Sequence, residues 1–158
     1  MPSQQETPMI NKIEKAINKF KSYLGKPRSE YEWLKGRPHM LDCASGYSYI
    51  TGGEDVISCA QHRQHMLNNK TWIQNTPTQT KRPVRGQAII FDWQGNYTDT
   101  AHIGLVLSVD KKNDEVEYIS ANSSPDSRVN IRKVGFRVVT GWGWVNLKPI
   151  KTIIKGTD

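Results

Sequence analysis

Apolar side chains recur at helical spacing near the start of the chain. Ile10, Ile13, Ile17, Phe20 and Leu24, with Ala16 on the same stripe, predict an amphipathic helix over residues 8–24. Thr7-Pro8 supplies a cap with proline at the first helical position, and Gly25-Lys26-Pro27 is a stop signal. Lys12, Lys15 and Lys19 fall on the opposite face, as expected of a solvated helix surface. Tyr31, Trp33 and Leu34 read as a short helix or turn closing near Gly36 and Pro38. The stretch from Met40 to Ile50 reads as a loop running into a short helix. Residues 54–69 predict a further helix with Val56, Ile57, Ala60 and Leu67 inward. A polar, proline-containing loop over 74–86 follows.

After Gly86 the period changes to that of strands. Ala88–Phe91 and Ile103–Val109 are strand-like runs, and Asp110–Asp114 is a hairpin turn. Val116–Ile119 returns from that turn, and Val129–Ile131, Phe136–Thr140 and Trp142–Leu147 add strands. Helices first and antiparallel strands afterwards predict an α+β fold.

The chain has 158 residues, the size of one ordinary domain, with 36% hydrophobic and 23% charged residues. No apolar run approaches the roughly 20 residues of a bilayer span. Met1–Glu6 lacks the pattern of a signal peptide, so synthesis in the cytoplasm without classical export is expected. The net charge of +7 is uneven: +4 over residues 1–40, −3 over 41–127 and +6 over 128–158. Basic ends favour a polyanionic partner such as a cell wall, an anionic lipid or a nucleic acid.

Two cysteines, Cys43 and Cys59, are too few for a disulfide scaffold. Cys43 sits where a loop enters a helix, beside the small residues Ala44, Ser45 and Gly46. A helix N-terminus lowers a thiol pKa, and small neighbours let a substrate carbonyl approach. The same position suits a small buried hydrophobe. His102 opens a strand-like segment and is the natural general base, or else a strand-edge histidine. Asn122 is the third candidate. With the hairpin turn centred near residue 112, positions 102 and 122 lie opposite each other, and an amide oxygen there fixes an imidazole tautomer. Its alternative is a loop asparagine in a turn-rich run.

Two competing readings use other residues. Cys59, His62 and His65 form a Cys-x-x-His-x-x-His run that suits a metal site, although no clear carboxylate accompanies it. The basic ends and five tryptophans suit a non-enzymatic wall- or nucleic-acid-binding module.

Several segments together resemble the CHAP family of cysteine peptidoglycan hydrolases, kin of the NlpC/P60 peptidases. Asp42-Cys43-Ala44 looks like the nucleophile segment, and Arg85–Trp93 like the strand that ends in an aromatic pair. Thr100–Val106 looks like the histidine strand, Ile119–Ser123 like the Ile-Glu-Gly-Asn-Thr segment, and Gly141–Trp144 like the closing strand. The resemblance implies a papain-like α+β fold, with N-terminal helices packed on an antiparallel sheet. It also implies cleavage of a peptidoglycan amide bond through a thioester, as a muramoyl-L-alanine amidase or a peptide-bond endopeptidase. Cys43 would attack, His102 shuttle the proton and Asn122 orient the ring, with no metal or other cofactor. Ser120 stands where the family often has Glu, and little is expected of it.

The domain plan that follows is an amphipathic helix over 1–27, a hydrolase core over 28–148 and a basic tail over 149–158. A monomer is expected, with peptidoglycan as substrate, electrostatic attraction to an anionic envelope and no specific nucleic acid. The setting is a phage endolysin or a secreted antibacterial amidase effector, acting on the wall in the periplasm or outside the cell.

Overall fold

The apolar stripe of the first segment is buried where its spacing requires. Helix α1 (Glu6–Lys21) turns Ile13, Ala16, Ile17 and Phe20 inward, while Lys12, Lys15 and Lys19 stay exposed. Complete burial of Ile17 or Phe20 contributes roughly 1.5–3 kcal/mol, so packing rather than propensity holds this helix. The computed structural model describes residues 6–36, 42–53, 58–122 and 128–147, with side chains from residue 11 onward. The 149–158 tail, His39, Val56 and Ile57 lie outside the described residues.

Helix α1 ends at Lys21, before the expected Leu24. Leu24 is exposed and bridges Val129, and Gly25, at a φ of 76°, donates its N–H to the Val129 carbonyl. A tertiary pairing therefore takes over where the helix stops. Short 3-10 turns over Arg28–Glu30 and Glu32–Leu34 lead to α2 (Asp42–Thr51) and α3 (Cys59–Asn68).

Helix α3 departs from expectation. Ser58 caps it by accepting from the Gln61 N–H at 3.2 Å, which sets the phase of the helix. Cys59, His62 and Met66 face inward, and Ala60 and Leu67 are exposed. The expected inward stripe was thus rotated onto the wrong face. Cys59 and His62 turn inward because the groups that meet them, the Cys43 sulfur and the Ala44 carbonyl, come from α2.

Strands β1 (Ile73–Gln74), β2 (Ala88–Phe91), β3 (His102–Asp110), β4 (Glu115–Ser120), β5 (Asn130–Gly135) and β6 (Val139–Gly143) form one antiparallel sheet among the described residues. Their order is β1-β6-β2-β3-β4-β5. The protein is α+β, with its three N-terminal helices packed on this sheet. One face meets the helices through Ile90, Ile103, Leu105 and Ile119. The other carries a second apolar layer that includes Ile89, Phe91, Val106, Tyr118, Val139 and Trp142. Covering on both faces explains why β2 is an unbroken apolar run rather than an alternating one. The expected strand at 136–140 is split: Phe136–Val138 is a 3-10 turn and β6 starts at Val139. The two-residue β1, hidden ahead of the polar loop, was not foreseen.

Two glycines set how closely the layers approach. A Cβ on Gly46 would lie 2.9 Å from the Trp33 ring, so α2 rests directly on that indole. Gly86 takes a φ of +96° just before β2, and a Cβ there would lie 2.9 Å from Ile13 of α1.

Candidate active site

Cys43 is the second residue of α2 and is almost wholly buried. The N–H groups in a first helical turn have no intrahelical partners and carry partial positive charge, which favours a thiolate. The start of α2 is anchored from outside. The Arg28 Nε donates to both Asp42 carboxylate oxygens, at 2.7 and 2.9 Å. Burial pushes the Asp42 carboxyl above its ordinary value, with Arg28 pulling against it. An ion pair of this kind fixes the helix end through geometry as much as through energy.

The Cys43 thiol is pulled well below its ordinary value, which favours the thiolate. The largest cause is a hydrogen bond from the Cys59 thiol. Burial opposes the shift, and the His102 ring and the Ala44 N–H add to it. The arrangement therefore joins the two residues first expected to react, Cys43 from α2 and His102 from β3.

His102 is the first residue of β3, paired with Phe91 of β2. Its Nε2 lies 2.9 Å from the Ser120 Oγ, and Ser120 is fully buried at the end of β4. With Nε2 engaged there, Nδ1 is the nitrogen left for the Cys43 sulfur. The expected partner, Asn122, does not take this place. Its amide donates to the Arg128 carbonyl and the Asn130 Oδ1, both at 2.9 Å, and to the Ser120 carbonyl at 3.4 Å.

The register explains the exchange. Leu105 pairs with Ile119, so the ladder extended would set 102 opposite 122, as counted. But β4 ends at Ser120, which pairs with Asn130. Asn122 has left the ladder and turned toward β5. The diagonal neighbour two residues earlier on the same face reaches the ring instead. Ser120 was legible only as a position of that strand face, two residues before Asn122.

Cys59 opens α3, and its Sγ lies 3.6 Å from the Cys43 Sγ, both thiols being free. His62, one turn on, is buried and sets its Nε2 2.9 Å from the Ala44 carbonyl. A carbonyl only accepts, so Nε2 carries the proton. Burial pulls the His62 pKa down to about 4, so the ring is neutral at pH 7. It therefore ties α3 to the residue that follows the nucleophile. The Cys59-His62-His65 run does not converge: Cys59 faces Cys43, His62 faces Ala44 and His65 is exposed.

The loop that delivers His102 is organised by Asp92. Its carboxylate accepts from the backbone N–H groups of Gln94, Thr98 and Asp99 at 3.0, 3.2 and 3.1 Å. Burial works against its charge, yet these donors hold the carboxyl below the ordinary carboxylate range. Trp93, 47% exposed, stacks on Phe91 at 4.9 Å and lies 5.9 Å from the His102 ring. Trp142 and Trp144 are buried.

A free thiol at a helix start beside an imidazole held by a third polar group is an arrangement that can act as a nucleophilic cysteine centre. The chain matches no protein-family model and no curated protein. Among solved structures it is similar to Ly7917, at 15% identity and a TM-score of 0.49. It is also similar to the structure of Ly7917 with the hydrolyzing product of MDP, at 14% identity and a TM-score of 0.44. Each likeness covers 82% of this chain and 61% of the other, so the chain spans less than two thirds of that protein's length.

Proposed function

We propose that the protein is a cysteine hydrolase that cleaves an amide bond in peptidoglycan. One observation carries the reaction type: the Cys43 thiol, pulled below its ordinary value, faces a His102 ring whose far nitrogen is held by Ser120. The substrate class rests on the likeness of the segments around Cys43, His102 and Asn122 to CHAP and NlpC/P60 hydrolases.

In this reading the Cys43 thiolate attacks the amide carbon. The oxyanion is stabilised by backbone N–H groups in the first turn of α2. Collapse of the tetrahedral adduct expels the amine, which takes a proton from the His102 Nδ1. The thioester remains on Cys43. His102, now neutral at Nδ1, accepts a proton from water as the water attacks. The acid product leaves, and the thiolate–imidazolium pair is restored. The Ser120 Oγ accepts from the Nε2 proton throughout, so the ring keeps one orientation through both steps.

The setting we propose is that of an endolysin drawn to an anionic wall by its basic surface. Lys12, Lys15 and Lys19 on α1 and Arg132 and Lys133 on the edge strand β5 are exposed for that contact. Digestion of purified peptidoglycan, read by mass spectrometry of the released muropeptides, tests the proposal and names the bond. Wild type is expected to release fragments with a new amine terminus, and Cys43→Ala none. Equal release by both proteins would overturn it.

A further inference from the structure

The two thiols meet because two helices point their first turns at the same place. Cys43 is the second residue of α2 and Cys59 the first of α3, and both sulfurs are buried 3.6 Å apart. Both are free, so the contact is between a thiol and a thiol or thiolate. A buried pair this close does not carry two negative charges. It carries at most one, and the remaining proton lies between the sulfurs.

The surroundings decide which sulfur keeps the charge. Both stand in the first turn of a helix, so the helix dipole does not choose between them. The other groups do. Cys43 faces His102 from β3 and the Ala44 N–H, both favouring a thiolate. Cys59 faces Cys43 and the negative charge of Asp99 from the loop before β3, both favouring the thiol. Asp42 on the same helix and His62 on α3 also sense a charge on Cys43. The proton therefore belongs on Cys59.

Resting on the nucleophile assignment above, we propose that Cys59 is a working part of the site: its S–H donates to the Cys43 sulfur and holds the negative charge there. Cys59 forms no bond to substrate. Its hydrogen bond raises the fraction of Cys43 present as thiolate at neutral and mildly acidic pH. It also tempers each thiolate, because nucleophilicity falls as the pKa falls.

The two effects have opposite signs and give a signature that simple loosening of the fold does not produce. In Cys59→Ala the pH midpoint for alkylation of Cys43 by iodoacetamide is expected to rise by about one unit or more. Above that midpoint the limiting rate is expected to increase about threefold for each unit of the shift. Cys59→Ser keeps a donor and is expected to lie between wild type and Cys59→Ala. Peptide mapping separates the two thiols in wild type, and each variant has only one.

A Cys59→Ala midpoint that coincides with wild type would overturn the proposal. If circular dichroism shows Cys59→Ala to be unfolded, the reciprocal variant decides, because coupling between two sites acts equally on both. In Cys43→Ala the absorbance titration of the Cys59 thiolate is expected to move to lower pH than in wild type, and no movement would overturn the proposal. Alkylation needs no peptidoglycan, so the inference and the substrate reading fail separately. A shifted midpoint without muropeptide release removes the substrate, and release without a shifted midpoint removes the role of Cys59.

Discussion

Replacing Ser120 by alanine removes a single oxygen from the centre of the site. The Ser120 Oγ is 2.9 Å from the His102 Nε2, and the serine is fully buried. Its loss leaves the Nε2 proton without its partner in a place where His102 itself is only 8% exposed. An unsatisfied buried donor costs about 1–3 kcal/mol, more when it is charged. Without that partner the ring is also free to turn away from Cys43, so the transition states that need it aligned carry the cost. Applied to the barrier, it predicts a fall in kcat of about fivefold to a hundredfold.

Substrate contacts are untouched, so KM should change little. Asn122→Ala is expected to cost less, because its amide binds the Arg128 carbonyl and the Asn130 side chain rather than the ring. Steady-state hydrolysis of solubilised muropeptides by both variants, with folding checked by thermal melts, measures the order. Full turnover in folded Ser120→Ala, or a larger loss in Asn122→Ala, would refute the reasoning.

Acid should destabilise the fold through His62. Burial lowers its pKa from 6.5 to about 4, so the unfolded chain takes up a proton that the folded chain refuses. Stability from this group is full above pH 6.5 and is lost as the pH falls toward 4, by about 3 kcal/mol in all. Denaturant titrations at several pH values should show that slope in wild type and not in His62→Gln. Gly46→Ala places a Cβ 2.9 Å from an indole that is itself stacked on Tyr31, so α2 must move. A loss of about 1–3 kcal/mol in a thermal melt is expected, together with reduced turnover, because Cys43 rides on the same helix. Raising the salt concentration should weaken pull-down by intact sacculi, since the exposed lysines of α1 act through a screened field. Salt-independent binding would remove that role.

Periodicity made most of the architecture legible. The stripe of α1, the apolar runs of β2 and β3 and the turn between β3 and β4 have local causes: helical spacing, burial and turn residues such as Asp110 and Asn113. The order of helices and strands was enough for an α+β fold. Cys43 and His102 could be picked out as candidates, because a helix start favours a thiolate and a residue opening a strand is held in place.

The remaining members of the site depend on where elements end and how they lean on one another. Counting along the hairpin placed Asn122 opposite His102, but the ladder stops at Ser120 because the chain turns there to pair with β5. A shift of two residues keeps the same strand face and changes the partner. Helix α3 misled in the same way. Cys59 and His62 read as members of a candidate metal run until α2 supplied a sulfur for one and the Ala44 carbonyl for the other. A polar side chain goes inward only when another element satisfies it. That partner lies 16 residues away for Cys59 and 18 for both His62 and His102, beyond the reach of any local pattern, so only the packed structure decides it.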